Sequence, residues 1–224
     1  MEQFLLFDNV SYPLLSLLIF TPIAGAVGLF FINSEYMMKI WGLLVTLLTA
    51  VISIPLYTNF DSSTASYQFA EVYKWFPALN LNYTLGIDGI SVLLVILTTF
   101  VMPLCILCSW NYIEKRMKEF LFAILIMEAA MIGVFVSLNT VLFYIFWEAM
   151  LIPMYLLIAV WGGPRRDYAS IKFFLYTLIA SIFLLVAIIA LYINTGTFFI
   201  PELMGNNYSF TFQIWVFLAC AIAF

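Results

Sequence analysis

Residues 140–161 read Thr140-Val141-Leu142-Phe143-Tyr144-Ile145-Phe146-Trp147-Glu148-Ala149-Met150-Leu151-Ile152-Pro153-Met154-Tyr155-Leu156-Leu157-Ile158-Ala159-Val160-Trp161. A bilayer span takes about 20 mostly apolar residues, so this stretch reads as a membrane helix. It carries one charged residue, Glu148, near its middle. An ionised carboxylate at that depth costs roughly 2.5–3.5 kcal/mol on insertion scales, which makes it a functional position by default. Such a residue holds a proton or a cation. The other reading is a protonated glutamate that only hydrogen-bonds a neighbouring helix.

The rest of the chain has the same character. Of 224 residues, 66% are hydrophobic and 9% charged, and the mean hydropathy is +1.11. Soluble domains carry about 25% charged residues. The expected fold class is therefore an all-α polytopic membrane protein. Hydropathy places six complete spans at Tyr12–Ile32, Met37–Tyr57, Ile90–Trp110, Phe120–Leu138, Thr140–Trp161 and Ile171–Ile193. A seventh starts near Phe210 and stops at Phe224 with no polar end, so a fragment of a longer protein is expected. The first residues have neither a basic n-region nor a small-residue cleavage site, and the first helix is expected to insert uncleaved.

Orientation follows from Lys and Arg. Lys39, Lys115, Arg116, Lys118, Arg165, Arg166 and Lys172 fall on one side of the membrane, and Lys74 alone on the other. The basic side is read as cytoplasmic, which puts the N-terminus, with Glu2 and Asp8, outside. Trp41, Trp75, Trp110 and Trp161 lie near span ends, as an aromatic belt requires.

Residues 58–88 form the one long loop, expected outside. Within it Leu79, Leu81, Tyr83 and Leu85 alternate with Asn80, Asn82 and Thr84, a period of two that argues a half-buried strand. Tyr67–Tyr73 is the candidate partner for a short hairpin. A disordered loop is the alternative.

Composition excludes several chemistries. There is no His. Cys105 and Cys108 form a lone C-x-x-C inside an apolar helix and Cys220 is isolated, so the cysteines read as small buried hydrophobes rather than metal or redox ligands. The nucleotide-binding glycine patterns are absent, as is a basic patch large enough for nucleic acid. No cofactor and no small-molecule substrate is expected on this chain. A helix bundle with buried carboxyls, handling protons or ions, remains.

Two further residues are candidates for that work. Glu128 is the other intramembrane acid. At 1.5 Å per residue it lies roughly 13 Å from the cytoplasmic start of the fourth span, and Glu148 roughly 12 Å from the outer start of the fifth. The short link Ser137-Leu138-Asn139-Thr140 makes those spans antiparallel neighbours, so both acids sit near the midplane. Whether they face each other is not readable. Ala129, Ala130 and Gly133 would permit close helix approach. Pro153 removes the hydrogen bond to the carbonyl of Ala149, one residue past Glu148, and a freed carbonyl there can hold water or another polar group. Lys172 opens the sixth span. It either snorkels to the headgroups or turns inward to pair with a buried acid.

From Gly86 to Tyr176 three motifs occur together: Trp75-Phe76-Pro77 followed by Gly86-Ile87-Asp88-Gly89-Ile90-Ser91; Phe146-Trp147-Glu148-Ala149-Met150-Leu151-Ile152-Pro153-Met154-Tyr155; and Trp161-Gly162-Gly163-Pro164-Arg165-Arg166 with Tyr168-Ala169 and Ile171-Lys172-Phe173-Phe174-Leu175-Tyr176-Thr177. In these the chain resembles chain 4, the M-type antiporter-like subunit, of proton-pumping NADH–quinone oxidoreductase (respiratory complex I). The resemblance implies an antiporter-like bundle of about fourteen helices with an inverted repeat, of which this is the first half or slightly less. It implies that Glu148 is the buried proton-translocating glutamate of the fifth helix. Its lysine partner on the seventh helix would lie past Phe224, so no residue here takes that role. Glu128 matches a position where such subunits also tend to carry an acid, and Lys172 falls in the matched motif. The implied partners are the lipid bilayer and the other membrane subunits of complex I, which would hold the NADH, flavin, iron–sulfur and quinone sites. The implied location is a bacterial-type inner membrane or an equivalent energy-coupling membrane. The alternatives are a subunit of a multisubunit cation/proton antiporter or membrane-bound hydrogenase, and a structural subunit without an ion path.

Overall fold

The structure, a computed structural model, describes residues 6–7, 12–76, 81–113 and 115–223. Glu2 and Asp8, the Leu79–Asn80 end of the alternation, and Phe224 lie outside those residues. In chain order the elements are β1 (Leu6–Phe7), α1 (Leu14–Gly28, extended by a 3-10 turn to Phe31), α2 (Glu35–Thr58), β2 (Tyr67–Phe76), β3 (Leu81–Ile87), α3 (Gly89–Ser109), α4 (Met117–Val136), α5 (Thr140–Ala149), α6 (Leu151–Trp161), α7 (Arg166–Thr195), α8 (Ile200–Met204) and α9 (Phe210–Ala223). Six segments are long and apolar enough to cross a membrane: Leu14–Phe31, α2, α3, α4, the α5–α6 pair and α7. They are the six spans expected from hydropathy, with ends shifted by a few residues. The largest shift is α7, which begins at Arg166 rather than Ile171. Asp167 in its first turn complements the positive helix N-terminus and carries the helix past the apolar stretch.

The helices form two layers. In the first, α1 to α4 pack around two clusters. One, toward the sheet, joins Leu15, Leu18 and Ile19 of α1, Leu56 of α2, Val92 and Val95 of α3, Ile132 and Val136 of α4, and Leu85 and Ile87 of β3. The other joins Leu29, Met38, Val45, Ile106, Leu121 and Leu125 at the opposite end. α4 is the most enclosed span, with 61% of its apolar window buried, whereas the α5–α6 span has 11%. The second layer consists of α5 to α7 and α9 and has a separate apolar cluster at Leu184, Ile188 and Phe198, joined by Tyr144, Trp147 and Ala223.

The acidic and amide caps are local. Asp88 accepts hydrogen bonds from the N–H groups of Ile90 and Ser91 to start α3, and Asn139 accepts from Val141 and Leu142 to start α5, as short polar side chains do at an N-cap. α7 ends at Gly196, whose φ of 74° is the left-handed conformation a helix stop favours in glycine.

β1, β2 and β3 form one sheet in that order. β2 and β3 are antiparallel, with Tyr73 opposite Tyr83 and Glu71 opposite Leu85, and two bulges interrupt the register. At the first bulge Phe69 has φ 55°. β1 joins β2 in parallel. The sheet leans on the helix ends. The Leu138 N–H donates to the Thr84 carbonyl at 3.0 Å, and the Leu138 carbonyl accepts from Ile200 at 2.9 Å. The α4–α5 link therefore lies between β3 and the segment that opens α8.

The opposite end carries the cations. Lys39 donates to the Trp110 carbonyl, and the Trp161 indole donates to the Lys115 carbonyl at 2.9 Å. Polar side chains thus tie the α1–α2, α3–α4 and α6–α7 links together.

Candidate functional site

The helical hydrogen bonding of the span that contains Glu148 is interrupted beside it, while the backbone at Met150 keeps helical dihedrals, φ −73° and ψ −26°. α5 ends at Ala149 and α6 begins at Leu151, with Met150 in a turn between them. Pro153 lacks an N–H to give to Ala149, so the interruption falls where the sequence removes a helical hydrogen bond. A carbonyl freed by proline in a membrane helix is tolerated where neighbouring groups or a cavity can satisfy it, and this span lines a cavity. A cavity of about 200 Å³ lies between α5–α6 and α7. Glu148, Met150, Leu151, Phe173, Thr177 and Ser181 are on its walls, and Ala223 of α9 contributes.

The polar groups at this cavity come from two helices. Tyr144, one turn before Glu148 and behind the cavity wall, lies near enough to Glu148 and Ser181 to interact electrostatically with both. Thr177 and Ser181 are one turn apart on α7. Each donates to a carbonyl of its own helix, Thr177 to Phe173 at 2.8 Å and Ser181 to Leu178 at 2.9 Å. Their oxygens therefore remain available as acceptors. Oε1 of Glu148 is buried with no protein hydrogen-bond partner.

Glu128 has a different setting. It lies in the middle of α4, fully buried, and neither carboxyl oxygen has a hydrogen-bond partner in the protein. It does not line the Glu148 cavity. α4 and α5 come close at Gly133, where the ring of Phe146 occupies the space a Cβ would take. Nearly all buried polar groups in proteins are hydrogen-bonded, so two orphaned carboxyls in one membrane bundle stand out.

Lys172 is exposed at the start of α7, and its ammonium lies 5.7 Å from the centre of the Tyr168 ring. The structure does not bring it into the Glu148 cavity. Among the described residues no group of three or more His, Cys, Asp or Glu is arranged to hold a metal ion.

Sequence reasoning missed Tyr144, Thr177 and Ser181. The signal was available in part, because Thr177 and Ser181 stand four residues apart on one helix face. The approach of Ser181 to Tyr144 depends on how α5 meets α7, which no local pattern encodes. Glu71 was missed too. Its carboxylate accepts from the N–H groups of Leu15 and Ser16 and from the Ser16 hydroxyl, so an acid on β2 caps α1 from more than fifty residues away.

Comparison with known proteins covers nearly the whole chain. A family model described as NADH-ubiquinone oxidoreductase chain 4, amino terminus, matches residues 17–134, and one described as NADH:quinone oxidoreductase/Mrp antiporter, TM, matches residues 137–224. The chain is 44% identical over 213 residues to NADH-ubiquinone oxidoreductase chain 4 of Arabidopsis thaliana, a match that takes in 94% of this chain and 43% of that protein. It is 45% identical over 201 residues to NADH-quinone oxidoreductase subunit M of Rhodobacter capsulatus, 87% of this chain and 39% of the relative. Among solved structures, a chain of respiratory complex I from Thermus thermophilus with bound NADH superposes with a TM-score of 0.82 at 26% identity, over 93% of this chain and 43% of that one. The chain spans less than half the length of the curated relatives it matches.

Proposed function

The chain belongs to the NADH–ubiquinone oxidoreductase chain 4 (subunit M) family, and from that premise we propose that it is a proton-translocating membrane part of an NADH–quinone oxidoreductase, with Glu148 as the proton carrier. The observation that carries this reading is the orphaned Oε1 of Glu148, one residue before the carbonyl that Pro153 leaves without a helical donor, on the wall of a cavity whose other polar groups are hydroxyls. An unpaired carboxylate is costly in a low-dielectric interior, whereas a carboxyl with a free oxygen and nearby hydroxyls can take up and pass on a proton.

In this mechanism Glu148 loads from the basic, cytoplasmic side. Burial favours the protonated form of a carboxyl in general, and a cation brought alongside favours the ionised form. Movement of a cation near Glu148, driven by redox chemistry elsewhere in the complex, alternates loading and release. That cation is expected on a helix that packs where α9 meets the cavity, not from Lys172. The electron carriers NADH, flavin, iron–sulfur clusters and quinone belong to partner subunits. Glu128 serves as a second protonatable site on α4.

On this reading the chain is the amino-terminal portion of an antiporter-like subunit with about fourteen helices in two inverted repeats. It sits in an energy-coupling membrane with the sheet and the N-terminus on the outer side, and packs against other membrane subunits of the complex.

The test is Glu148→Gln in the complete subunit within the assembled complex. Quinone-linked proton pumping in proteoliposomes should be abolished while assembly is intact. Wild-type pumping in that variant, at unchanged quinone reduction, sinks the proposal. Pumping that requires sodium and proceeds without quinone reduction would move the assignment to a cation/proton antiporter.

A further inference from the structure

The cation-rich end of the bundle holds a larger cavity that shares no lining residue with the one at Glu148. Its volume is about 520 Å³, and Tyr112, Lys115, Arg116, Val160, Trp161 and Arg166 are on its walls. Two links build it, α3–α4 and α6–α7. They are held together by the 2.9 Å bond from the Trp161 indole to the Lys115 carbonyl and by the edge-on packing of Trp161 against Phe120, with ring centres 5.3 Å apart.

The side chains at the rim are also placed. Arg166 donates through Nη1 to the Val160 carbonyl at 2.8 Å. Arg116 adopts a left-handed backbone, φ 55°, and its Nε pairs with Glu119 at 3.1 Å. Lys115 makes no ion pair among the described residues. In sequence the two links set Lys115, Arg116, Lys118, Arg165 and Arg166 against Glu114, Glu119 and Asp167, a surplus of two positive charges. α4 and α7 both begin at this cavity, and neither has a side-chain hydrogen bond capping its first amides, which adds the positive ends of two helix dipoles.

Depth decides what the cavity takes. It lies at the ends of membrane-spanning helices, at the level of Trp110 and Trp161, where aromatic side chains mark the headgroup layer. A basic pocket between membrane helices at that level suits an anionic lipid headgroup. The chemistry is graded to match: ammonium and guanidinium groups for a phosphate, and indole and phenol rings for the glycerol and the first acyl carbons.

We infer that this cavity binds the phosphate of an anionic phospholipid, seated between Lys115 and Arg166 against the Trp161 ring.

The experiment uses the assembled complex in vesicles of phosphatidylcholine doped with a phosphatidylglycerol that carries a photoreactive headgroup. In wild type the label should map to the peptides containing Tyr112–Arg116 and Ala159–Arg166. Excess unlabelled phosphatidylglycerol should displace it, whereas extra phosphatidylcholine or free inorganic phosphate should not. Each cation near the membrane contributes about a fivefold change in association, so the double variant Lys115→Gln, Arg166→Gln should lose labelling about twenty-five-fold, and Lys115→Arg, Arg166→Lys should retain it. Should the double neutral variant fail to assemble, Arg166→Gln alone is read, with about a fivefold loss expected. Equal labelling in wild type and neutral variants overturns the inference. Displacement by inorganic phosphate overturns the lipid assignment in favour of a free anion. Labelling confined to a partner subunit overturns it by showing that the cavity is covered by protein.

Discussion

The Glu71 carboxylate on β2 accepts the backbone N–H of Leu15 at 2.7 Å, so the sheet supplies the N-terminal cap of α1. A helix start leaves four amides without partners inside the helix, and Pro13, the residue in the cap position, has no side-chain hydrogen bond to offer. Glu71→Ala should destabilise this end of the bundle by about 1–3 kcal/mol, the cost of leaving buried donors unmade. Amide exchange at Leu15 and Ser16 should speed up accordingly, and unchanged exchange would contradict the assigned role.

Tyr83 gives this end an alkaline limit. Burial pushes its phenol up from the ordinary tyrosine value of 10.0, and the nearby Glu71 carboxylate adds to the rise while a hydrogen bond with Ser16 opposes it. For a group whose folded pKa is raised, the stabilisation is fully present below the unfolded value and is lost as pH rises through the folded one. The sheet should therefore hold up to about pH 10 and loosen above it, and Tyr83→Phe should remove that loss. Tyrosinate absorbance, followed by titration in both variants, reads it directly. Ionisation of Tyr83 below pH 10 would be the contrary result.

The α4–α5 crossing tolerates no side chain at Gly133, because the Phe146 ring fills that space. Gly133→Val should cost about 1–3 kcal/mol through overpacking, read as a lower thermal midpoint of the complex. Phe146→Ala in the same chain should recover part of the loss, since contacting residues couple. Strictly additive losses would show that the two do not meet.

Glu128 should separate stability from function. Both of its buried oxygens lack protein partners, and a polar group buried without a hydrogen bond costs about 1–3 kcal/mol. Glu128→Leu should thus stabilise the bundle by up to that amount, read as a higher thermal midpoint, while proton pumping falls. A variant that is both less stable and fully active would reverse this account.

The hydroxyls around Glu148 should tune pumping rather than permit it. A hydroxyl able to take a hydrogen bond from the loaded carboxyl is worth about 1 kcal/mol, so Tyr144→Phe or Ser181→Ala should slow proton translocation about fivefold with quinone reduction recoverable by uncoupler. Pumping rates in proteoliposomes with and without uncoupler decide it. Identical rates in both variants would leave Glu148 without these neighbours' help.

What the sequence made legible follows from the range of each signal. Span positions depend on hydropathy averaged over some twenty residues, which is why all six are placed by it to within a few residues. Glu148 stands out because charge inside such a window is rare. β3 runs through Leu81, Tyr83 and Leu85 as their period of two predicts, but its burial does not alternate, because Thr84 is buried along with Leu85, Gly86 and Ile87. The parallel addition of β1, the capping of α1 by Glu71, the approach of Phe146 to Gly133 and the meeting of Tyr144 with Ser181 all join residues far apart in sequence. Periodicity has no access to them. The interruption at Met150 was legible, because Pro153 signals the missing helical bond to Ala149, and the backbone keeps helical dihedrals through it.

The Leu138 main chain, bonded on one side to Thr84 and on the other to Ile200, has a mechanical consequence. It is a tie-bar between the two helical layers, made of backbone alone. A load placed on the hairpin passes through Leu138 to α8 without crossing a side chain that could rotate out of the way. At the cation-rich end the layers are joined by the Trp161 indole instead, a softer fastening. The two ends of the bundle are thus fastened by different means, main chain to main chain at the sheet, and an indole bond with ring packing against Phe120 at the cation-rich end, so a single side-chain substitution can loosen the second fastening but not the first.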